Sequence, residues 1–344
     1  MRRPKVVLGI LLFVLGSTIV ICTTIGPAPI GPVEVLGILL GRVPGAGGLI
    51  PGGDWPETFE TIVFQLRLAR VVLAALVGAA LAASGVVLQG LLRNPMADPY
   101  ILGISSGAAL GASLGLLLGL GGYALGIYTI PLLAFLGGVG TAFAVYALAR
   151  VDNRVPVSTL LLAGIAVGSF LSALTSLVMV TSGSNLHEVI FWLMGGFAGR
   201  GWDHVKVLLP YVLIGFIPMY LYARELNVML LGDETAQHVG IEVERVKRLM
   251  FVTATLVTAS AVAVSGIIGF VGLIIPHAVR LLVGPDHRIL LPTSALVGAI
   301  FLAAADTVAR TAVAPLEIPV GVITALCGGP FFIYLLRRKK DPGF

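Results

Sequence analysis

Uncharged apolar runs of membrane-spanning length recur along this chain, and they decide which class of fold it can adopt. The first run, from Val6 to Ile25, is about 20 residues long, enough to cross the ~30 Å hydrocarbon core of a bilayer. Charged residues make up only 11% of the 344 residues, against about 25% in a soluble domain. A soluble globular fold is therefore excluded. We predict an all-α, polytopic membrane protein that forms a single domain over residues 1–344.

About ten transmembrane helices are predicted from the spacing of the polar segments. They cover residues 6–26, 62–90, 99–120, 125–149, 157–180, 205–223, 249–269, 272–283, 290–311 and 319–336. The eighth is too short to cross the bilayer alone at 1.5 Å per residue. We expect it to pack inside the protein after an irregular break at GFVGLIIPH (269–277). The N-terminal run is interpreted as the first span and not as a signal peptide, because no A-x-A-like cleavage site follows it.

The basic residues orient the predicted bundle. With the N-terminus in the cytoplasm, most of the 22 Lys and Arg residues lie on the cytoplasmic side, as the positive-inside rule requires. Both termini are then cytoplasmic, because ten is an even number of spans. This topology defines three polar segments: an outer loop at 27–61, an outer interfacial helix at 183–204 with an aromatic belt of Trp192, Phe197 and Trp202, and a cytoplasmic segment at 224–248.

The motifs of enzymes and metal proteins are missing from the sequence. No G-x-x-x-x-G-K-[ST] loop is present, so the chain has no P-loop for a nucleotide. The two cysteines and five histidines lack ligand spacing, and His277 fits a packed or gate-lining role better than a metal site. GISSG (103–107) formally matches a nucleophile elbow but opens an apolar helix without an acid–base partner. We predict no catalytic residue, metal, cofactor or nucleic acid, and no enzymatic activity.

Four stretches, spread between residues 65 and 336, carry the strongest functional signal. They are QLRLARVVLAALVGAALAASGVVLQGLLRNPMADPYILGISSGAALG (65–111), LLGDETAQHVGIEVERVKRL (230–249), SGIIGFVGLIIPHAVRLLVGPDHRILLP (265–292), and ADTVAR followed by EIPVGVITALCGGPFFIYLL within 305–336. In these stretches the sequence resembles the FecCD family, the permease subunits of type II ABC importers for iron–siderophore, haem and cobalamin. One departure is RLAR (67–70), where RLPR is commoner.

The resemblance implies a function and a set of partners. It implies a multi-pass permease of the cell inner membrane that works as a homodimer, with two cytosolic ATPase subunits and a substrate-binding protein outside. The chain would translocate a metal chelate, and ATP hydrolysis would reside in the partner ATPase. A self-contained secondary transporter is the alternative. It would need carboxylates inside the membrane as ion sites, and only Asp306 qualifies. The choice among iron–siderophore, haem and cobalamin stays open.

The same resemblance implies roles for particular residues. The segment 224–248 would form coupling helices that enter the ATPase, with Gly232, Asp233, Glu234 and Gly240 as the coupling residues. Docking of the binding protein would use Arg67, Arg70 and Arg310. The inner gate would consist of Asn94, Pro95, Met96, Val157, Ser158 and Thr159, and the pathway lining of Ser169, Ser172, Thr175 and Ser176.

Each of these assignments has a structural alternative. The arginines could snorkel to the interface, with Asp306 and Arg310 pairing at i,i+4. The segment 224–248 could be a solvated loop. The hydroxyl groups could serve helix capping or helix–helix packing.

Overall fold

The computed structural model describes residues 4–26, 28, 30–41, 55–120, 126–151 and 155–338, and these are almost wholly helical. In chain order the α-helices are α1 (Pro4–Thr24), α2 (Pro32–Gly41), α3 (Glu57–Thr61), α4 (Ala69–Leu91), α5 (Ile104–Leu117), α6 (Thr129–Leu148), α7 (Val157–Thr181), α8 (Leu186–Met194), α9 (Trp202–Leu221), α10 (Ala223–Met229), α11 (Asp233–His238), α12 (Val243–Ser265), α13 (Val271–Val283), α14 (His287–Thr311) and α15 (Val320–Arg338). A π-helix, Ile62–Leu68, joins α3 to α4, and a 3₁₀ helix, Pro99–Leu102, precedes α5.

Seven of the described helical segments are long and apolar enough to cross a membrane. They are Lys5–Thr24, Glu57–Leu91, Gly126–Leu148, Val157–Thr181, Trp202–Leu221, Val243–Ser265 and His287–Thr311. Shorter apolar helices cover Pro32–Gly41, Ile104–Leu117, Val271–Val283 and Val320–Tyr334. Every predicted span therefore coincides with a helix, and a multi-pass, all-α membrane protein is confirmed. The number of crossings and their direction stay predictions, because three of the ten predicted spans are short helices.

Helices α4, α12 and α14 form the buried centre of the bundle. The most apolar stretches of α4 and α12 are 83% and 78% buried, whereas those of α1 and α7 are only 11% buried. Small residues allow this packing, because without side chains the backbones can approach closely. A Cβ on Gly78 of α4 would lie 2.1 Å from the carbonyl oxygen of Gly298 on α14. The central pair of helices is therefore in direct backbone contact.

The break before α13 lies earlier than predicted. The irregular segment covers 266–270, where Gly266 and Phe270 have positive φ, so the predicted break at GFVGLIIPH is wrong for most of its length. Pro276 and His277 lie inside α13. Proline at 276 removes the helical hydrogen bond to the carbonyl of Gly272. The Gln89 side chain donates to that carbonyl at 3.4 Å and to that of Leu273 at 3.1 Å, so the helix can continue through the proline.

The two outer segments differ from the predicted loop and the predicted aromatic belt. Predicted loop 27–61 contains α2 and α3, and its residues 27, 29 and 42–54 lie outside the described residues. In segment 183–204 the belt prediction is wrong for Trp192 and Phe197, which are 8% and 0% exposed. Their rings face the protein and not its surroundings. Trp202 is half-buried, and its Nε1 donates to the Phe64 carbonyl at 2.8 Å.

Candidate functional site

Charged residues gather at the two ends of the bundle. We call them the outer end, marked by Arg70, Asp306 and Glu317, and the inner end, marked by Arg93 and Asp233, after the predicted topology. At the outer end, the fully buried Asp306 accepts from Arg70 Nε at 3.0 Å and Nη2 at 2.8 Å. Arg70 Nη1 donates to both carboxylate oxygens of Glu317, at 3.0 and 2.9 Å. One arginine thus joins the start of α4, the end of α14 and the segment before α15.

The other two predicted docking arginines hold the last turn of α1. Arg67 is 4% exposed and donates to the carbonyls of Thr24 at 3.2 Å and Ala28 at 2.6 Å. Arg310, also 4% exposed, donates to the carbonyl of Cys22. A helix leaves its last carbonyls without intrahelical partners, and cations are favourable there. Both guanidinium groups therefore stabilise the C-terminal end of α1.

The outer end also contains a cavity of about 440 Å³. Its charged lining consists of Arg67, Arg70, Arg200, Arg310 and Glu317. Burial lowers the pKa of Arg200, whose Nη1 lies 3.1 Å from His204 Nε2. An arginine remains cationic in a protein even when its pKa falls. The arginines outnumber the acids, so this lining suits an acidic group.

At the inner end, α11 stands between two glycines. Gly232 and Gly240 have φ of 122° and 86°, a region that favours glycine because it has no Cβ. Glu234 is exposed, and Ala236 is the one α11 residue that is buried. Asp233 is engaged within the chain, since it pairs with Arg93 and accepts from Lys247 Nζ at 2.6 Å. The helix thus presents Glu234 outward while Asp233 ties it to the bundle.

The predicted gate loop begins at the arginine that holds α11. Arg93 has a φ of 47°, and the Asn94 side chain then accepts from the Met96 N–H at 2.9 Å to form a tight turn. Pro95 is exposed. Next, Asp98 accepts from the Tyr100 N–H at 2.9 Å and caps the 3₁₀ helix. Burial raises the pKa of the Asp98 carboxyl to about 6.

The second group of predicted gate residues begins α7 beside the same loop. Val157 shares a small cleft with Leu92 of the α4 end, Lys247 and Phe251. Ser158 is exposed and Thr159 is half-buried. The start of α7, the end of α4 and α12 therefore meet at this cleft.

Three of the four predicted lining hydroxyl groups share one exposed face of α7. Ser169, Ser172 and Ser176 are exposed, and their i, i+3, i+7 spacing puts them on one side of a helix. Thr175 is 6% exposed and donates to the Leu171 carbonyl at 2.9 Å, so it faces the bundle. Ser106 of α5, which was not predicted from the sequence, lies 3.4 Å from Ser172 between the two hydroxyl oxygens. Its only sequence signal was its place in GISSG.

The described residues offer little support for other chemistry. Ser105, the serine of the formal nucleophile elbow, is only 4% exposed. No group of three or more His, Cys, Asp or Glu in the described part of the chain could hold a metal ion. Asp306, the carboxylate that a secondary transporter would need, is already bonded to Arg70.

Comparisons with known proteins agree with one another. Residues 11–338 match the FecCD transport family. The cobalamin import system permease protein BtuC of Halobacterium salinarum is 52% identical over 83% of this chain and 76% of its own length. The Fe(3+)-citrate import system permease protein YfmE of Bacillus subtilis is 39% identical over 98% of this chain and 96% of its own. The hemin transport system permease protein HmuU of Yersinia pestis is 42% identical over 81% of this chain and 84% of its own length.

A solved structure has the same fold. It is an inward-facing conformation of a metal-chelate type ABC transporter, with a TM-score of 0.81 and 35% identity, and the match covers 97% of this chain and 99% of that one.

Proposed function

The chain belongs to the FecCD transport family of ABC importer permeases, and on this premise we propose that it carries a metal chelate across the cell inner membrane. The chelate is an iron–siderophore, haem or cobalamin, and the names of its relatives, which print cobalamin, Fe(3+)-citrate and hemin, support this choice of cargo classes. The chain is a transport subunit, and ATP hydrolysis takes place in two cytosolic ATPase subunits. A secondary transporter is not favoured, because Asp306 is occupied by Arg70.

The exposed helix α11 is the observation that carries the proposal. It projects between Gly232 and Gly240 with only Ala236 buried, so its outer face is available to an ATPase. Its link to the bundle runs through Asp233 and Arg93, and Arg93 is the first residue of the gate loop. A displacement of α11 is thereby transmitted to the gate residues Asn94, Pro95 and Met96. In this assignment Glu234 meets the ATPase, and Asp233 acts inside the permease.

The outer end is the proposed docking face for a substrate-binding protein. Among the three predicted docking arginines, Arg70 is the most available, with 12% of its side chain exposed and its partner Glu317 38% exposed. Arg67 and Arg310 are bonded to α1 carbonyls, so they support the docking face from within. An acidic surface of the binding protein would meet the excess of arginine in the cavity.

A second copy of the chain completes the proposed pathway. The most apolar stretch of α7 is 11% buried in a single chain, and its exposed face carries Ser169, Ser172 and Ser176. Hydroxyl groups are out of place against lipid but suit a polar pathway between two subunits. The gate residues Val157, Ser158 and Thr159 stand at the inner end of the same helix. Two such helices, one from each copy, would face each other across the pathway.

Reconstitution tests this function. The chain, its ATPase subunits and its binding protein are assembled in proteoliposomes and offered radiolabelled cobalamin, haemin or ferric citrate. ATP-dependent accumulation of one cargo is expected, and the lone chain should hydrolyse no ATP. Uptake by the lone chain driven by an ion gradient would overturn the proposal in favour of a secondary transporter. A variant of α11, Gly240→Pro, should assemble but lose uptake.

A further inference from the structure

A junction of three helices lies at the inner end, and none of its polar residues is among the coupling, gate or docking residues named above. The Asn227 side chain of α10 accepts from the His287 backbone N–H at 2.8 Å and lies 2.7 Å from His287 Nδ1. Its amide nitrogen donates to Asp286 at 2.7 Å. Because a carbonyl oxygen can only accept, His287 Nδ1 carries a proton in this contact. One amide thus engages both residues at the start of α14.

The His287 ring fills the space between α10 and α4. The residue is 2% exposed, and Nε2 is buried without a hydrogen-bond partner among the described residues. A Cβ on Gly90 of α4 would lie 2.5 Å from that Nε2. Glycine at 90 is therefore what allows the ring to stay against Asn227. The junction consists of α4 at Gly90, α10 at Asn227 and α14 at His287.

The acid of the junction is held in its charged state. Asp286 caps α14 by accepting from the Arg288 N–H at 3.0 Å. The hydrogen bond from the Arg288 side chain, and then that from Asn227, keep the pKa of Asp286 below its ordinary value. The Asn227 contact is thus a hydrogen bond to a charged group, which is stronger than a neutral one.

Helix α14 connects this junction to the outer end. With a rise of 1.5 Å per residue, Asp306 lies roughly 29 Å along α14 from His287. The helix is supported midway by the backbone contact between Gly298 and Gly78. At its far end Asp306 holds Arg70, which in turn holds Glu317. A displacement of α10 is therefore passed through a single helix to the proposed docking face.

We propose that Asn227 is a positioning residue that makes the segment before α11 move with α14 as one body. This inference rests on the proposed function, in which α11 meets the ATPase and the outer end meets the binding protein. Asn227 would then carry the signal by which a docked binding protein stimulates ATP hydrolysis. The residue contacts neither partner and acts only through Asp286 and His287.

The test uses the complete complex in nanodiscs and needs no cargo. The ratio of ATP hydrolysis with and without binding protein is measured for Asn227→Ala. We expect the stimulation to fall about tenfold, within the usual range of coupling between sites, while the complex assembles and binds its binding protein with unchanged affinity. Asn185→Ala is the matched control, because Asn185 donates to the Leu116 carbonyl and belongs neither to the junction nor to the network of Arg70, Asp306 and Glu317. It should keep the wild-type ratio.

Two further variants separate coupling from folding. Gly90→Ala should reduce the ratio as Asn227→Ala does, because its methyl group displaces the His287 ring. Gly140→Ala, where no atom lies within 4 Å of the added carbon, should not. In a background with Cys22→Ser and Cys327→Ser, the double variant Asn227→Cys with Asp286→Cys is joined through its two new thiols by a short bifunctional reagent. The joined chain should recover the stimulation that the unjoined double variant loses.

The outcomes distinguish the inference from its premise. A wild-type complex that is not stimulated would contradict the proposed function and the inference together. If the binding protein stimulated ATP hydrolysis equally in the wild type and in Asn227→Ala, the inference would be overturned and the proposed function would stand. Loss of stimulation that the cross-link fails to restore, or makes worse, would also overturn it, because α10 and α14 would then have to separate during the cycle.

Discussion

Replacing Asp306 by asparagine should destabilise the chain strongly while barely changing its shape. The carboxylate is fully buried and bonded to Arg70, whose side chain is 12% exposed, and it lies 3.9 Å from Arg310. Removing one partner of a buried ion pair costs about 3–5 kcal/mol, because the other charge is left without compensation. Arg70 keeps Glu317, so we expect about 3 kcal/mol, the lower end of that range.

Two companion variants make this magnitude testable. Glu317→Gln breaks the more exposed half of the network, and a pair of this kind is worth at most about 1 kcal/mol. The double variant Arg70→Met with Asp306→Leu removes both buried charges and should recover most of the loss. Reversible unfolding in mixed micelles gives the free energy of unfolding of each of the three variants, and each is compared with that of the wild type.

Salt provides an independent check on the same reasoning. Buried pairs are screened far less than exposed ones, so the loss in Asp306→Asn should persist at high ionic strength, whereas that in Glu317→Gln should shrink. If Asp306→Asn were no more destabilising than Glu317→Gln, the pair of Asp306 with Arg70 would not be desolvated. That result would refute the conclusion that a buried ion pair anchors the outer end.

Three further predictions concern the inner end and the pathway. Because burial raises the pKa of Asp98 to about 6, stability should fall as pH rises from about 4 to 6, and Asp98→Asn should remove this slope in thermal unfolding. Arg93→Gln should lower the amount of cargo transported per ATP hydrolysed about fivefold, because it frees α11 from the gate loop. The exposed Arg245→Gln is the control and should not lower it. If both variants transported the same amount of cargo per ATP, the proposed link between α11 and the gate loop would be contradicted. Ser172→Trp should block uptake, because the indole would obstruct a pathway lined by α7. Ile214→Trp on α9 is the control and should leave uptake normal. Normal uptake by Ser172→Trp would show that α7 does not line the pathway.

The fold was largely predictable because membrane spans leave a strong signal. Long apolar runs such as Val157–Thr181 have few competing interpretations, and their ends fell within a few residues. The failures involve short helices and buried aromatic rings. Trp192 sits in a segment whose composition suits an interface, yet its burial depends on neighbours distant in sequence. The continuation of α13 through Pro276 likewise involves a residue distant in sequence, Gln89, whose side chain donates to the Gly272 carbonyl that Pro276 leaves free.

The candidate site was predictable in its location more than in its contacts. The predicted topology alone placed Arg67, Arg70 and Arg310 at the outer end of the bundle. The hydrogen-bond partners of these arginines, however, have little signature in the sequence. Two of them bond to backbone carbonyls, which every residue possesses. The local spacing suggested that Asp306 pairs with Arg310, yet it lies 2.8 Å from Arg70, 236 residues away, against 3.9 Å from Arg310. Short-range rules therefore missed the stronger of the two ion pairs.

The arginine contacts at the end of α1 set an order of events during biosynthesis. The carbonyl of Thr23 meets Arg67 after only 44 further residues, but that of Cys22 meets Arg310 after 288. At the usual elongation rate of about 5–20 residues per second, the second contact forms roughly 15–60 s after the first helix has been made. During that interval α1 has contacts with α2, the π-helix Ile62–Leu68 and α4, but not yet with α14. Of the described spans, α1 is thus the earliest to be synthesised and among the last to be secured.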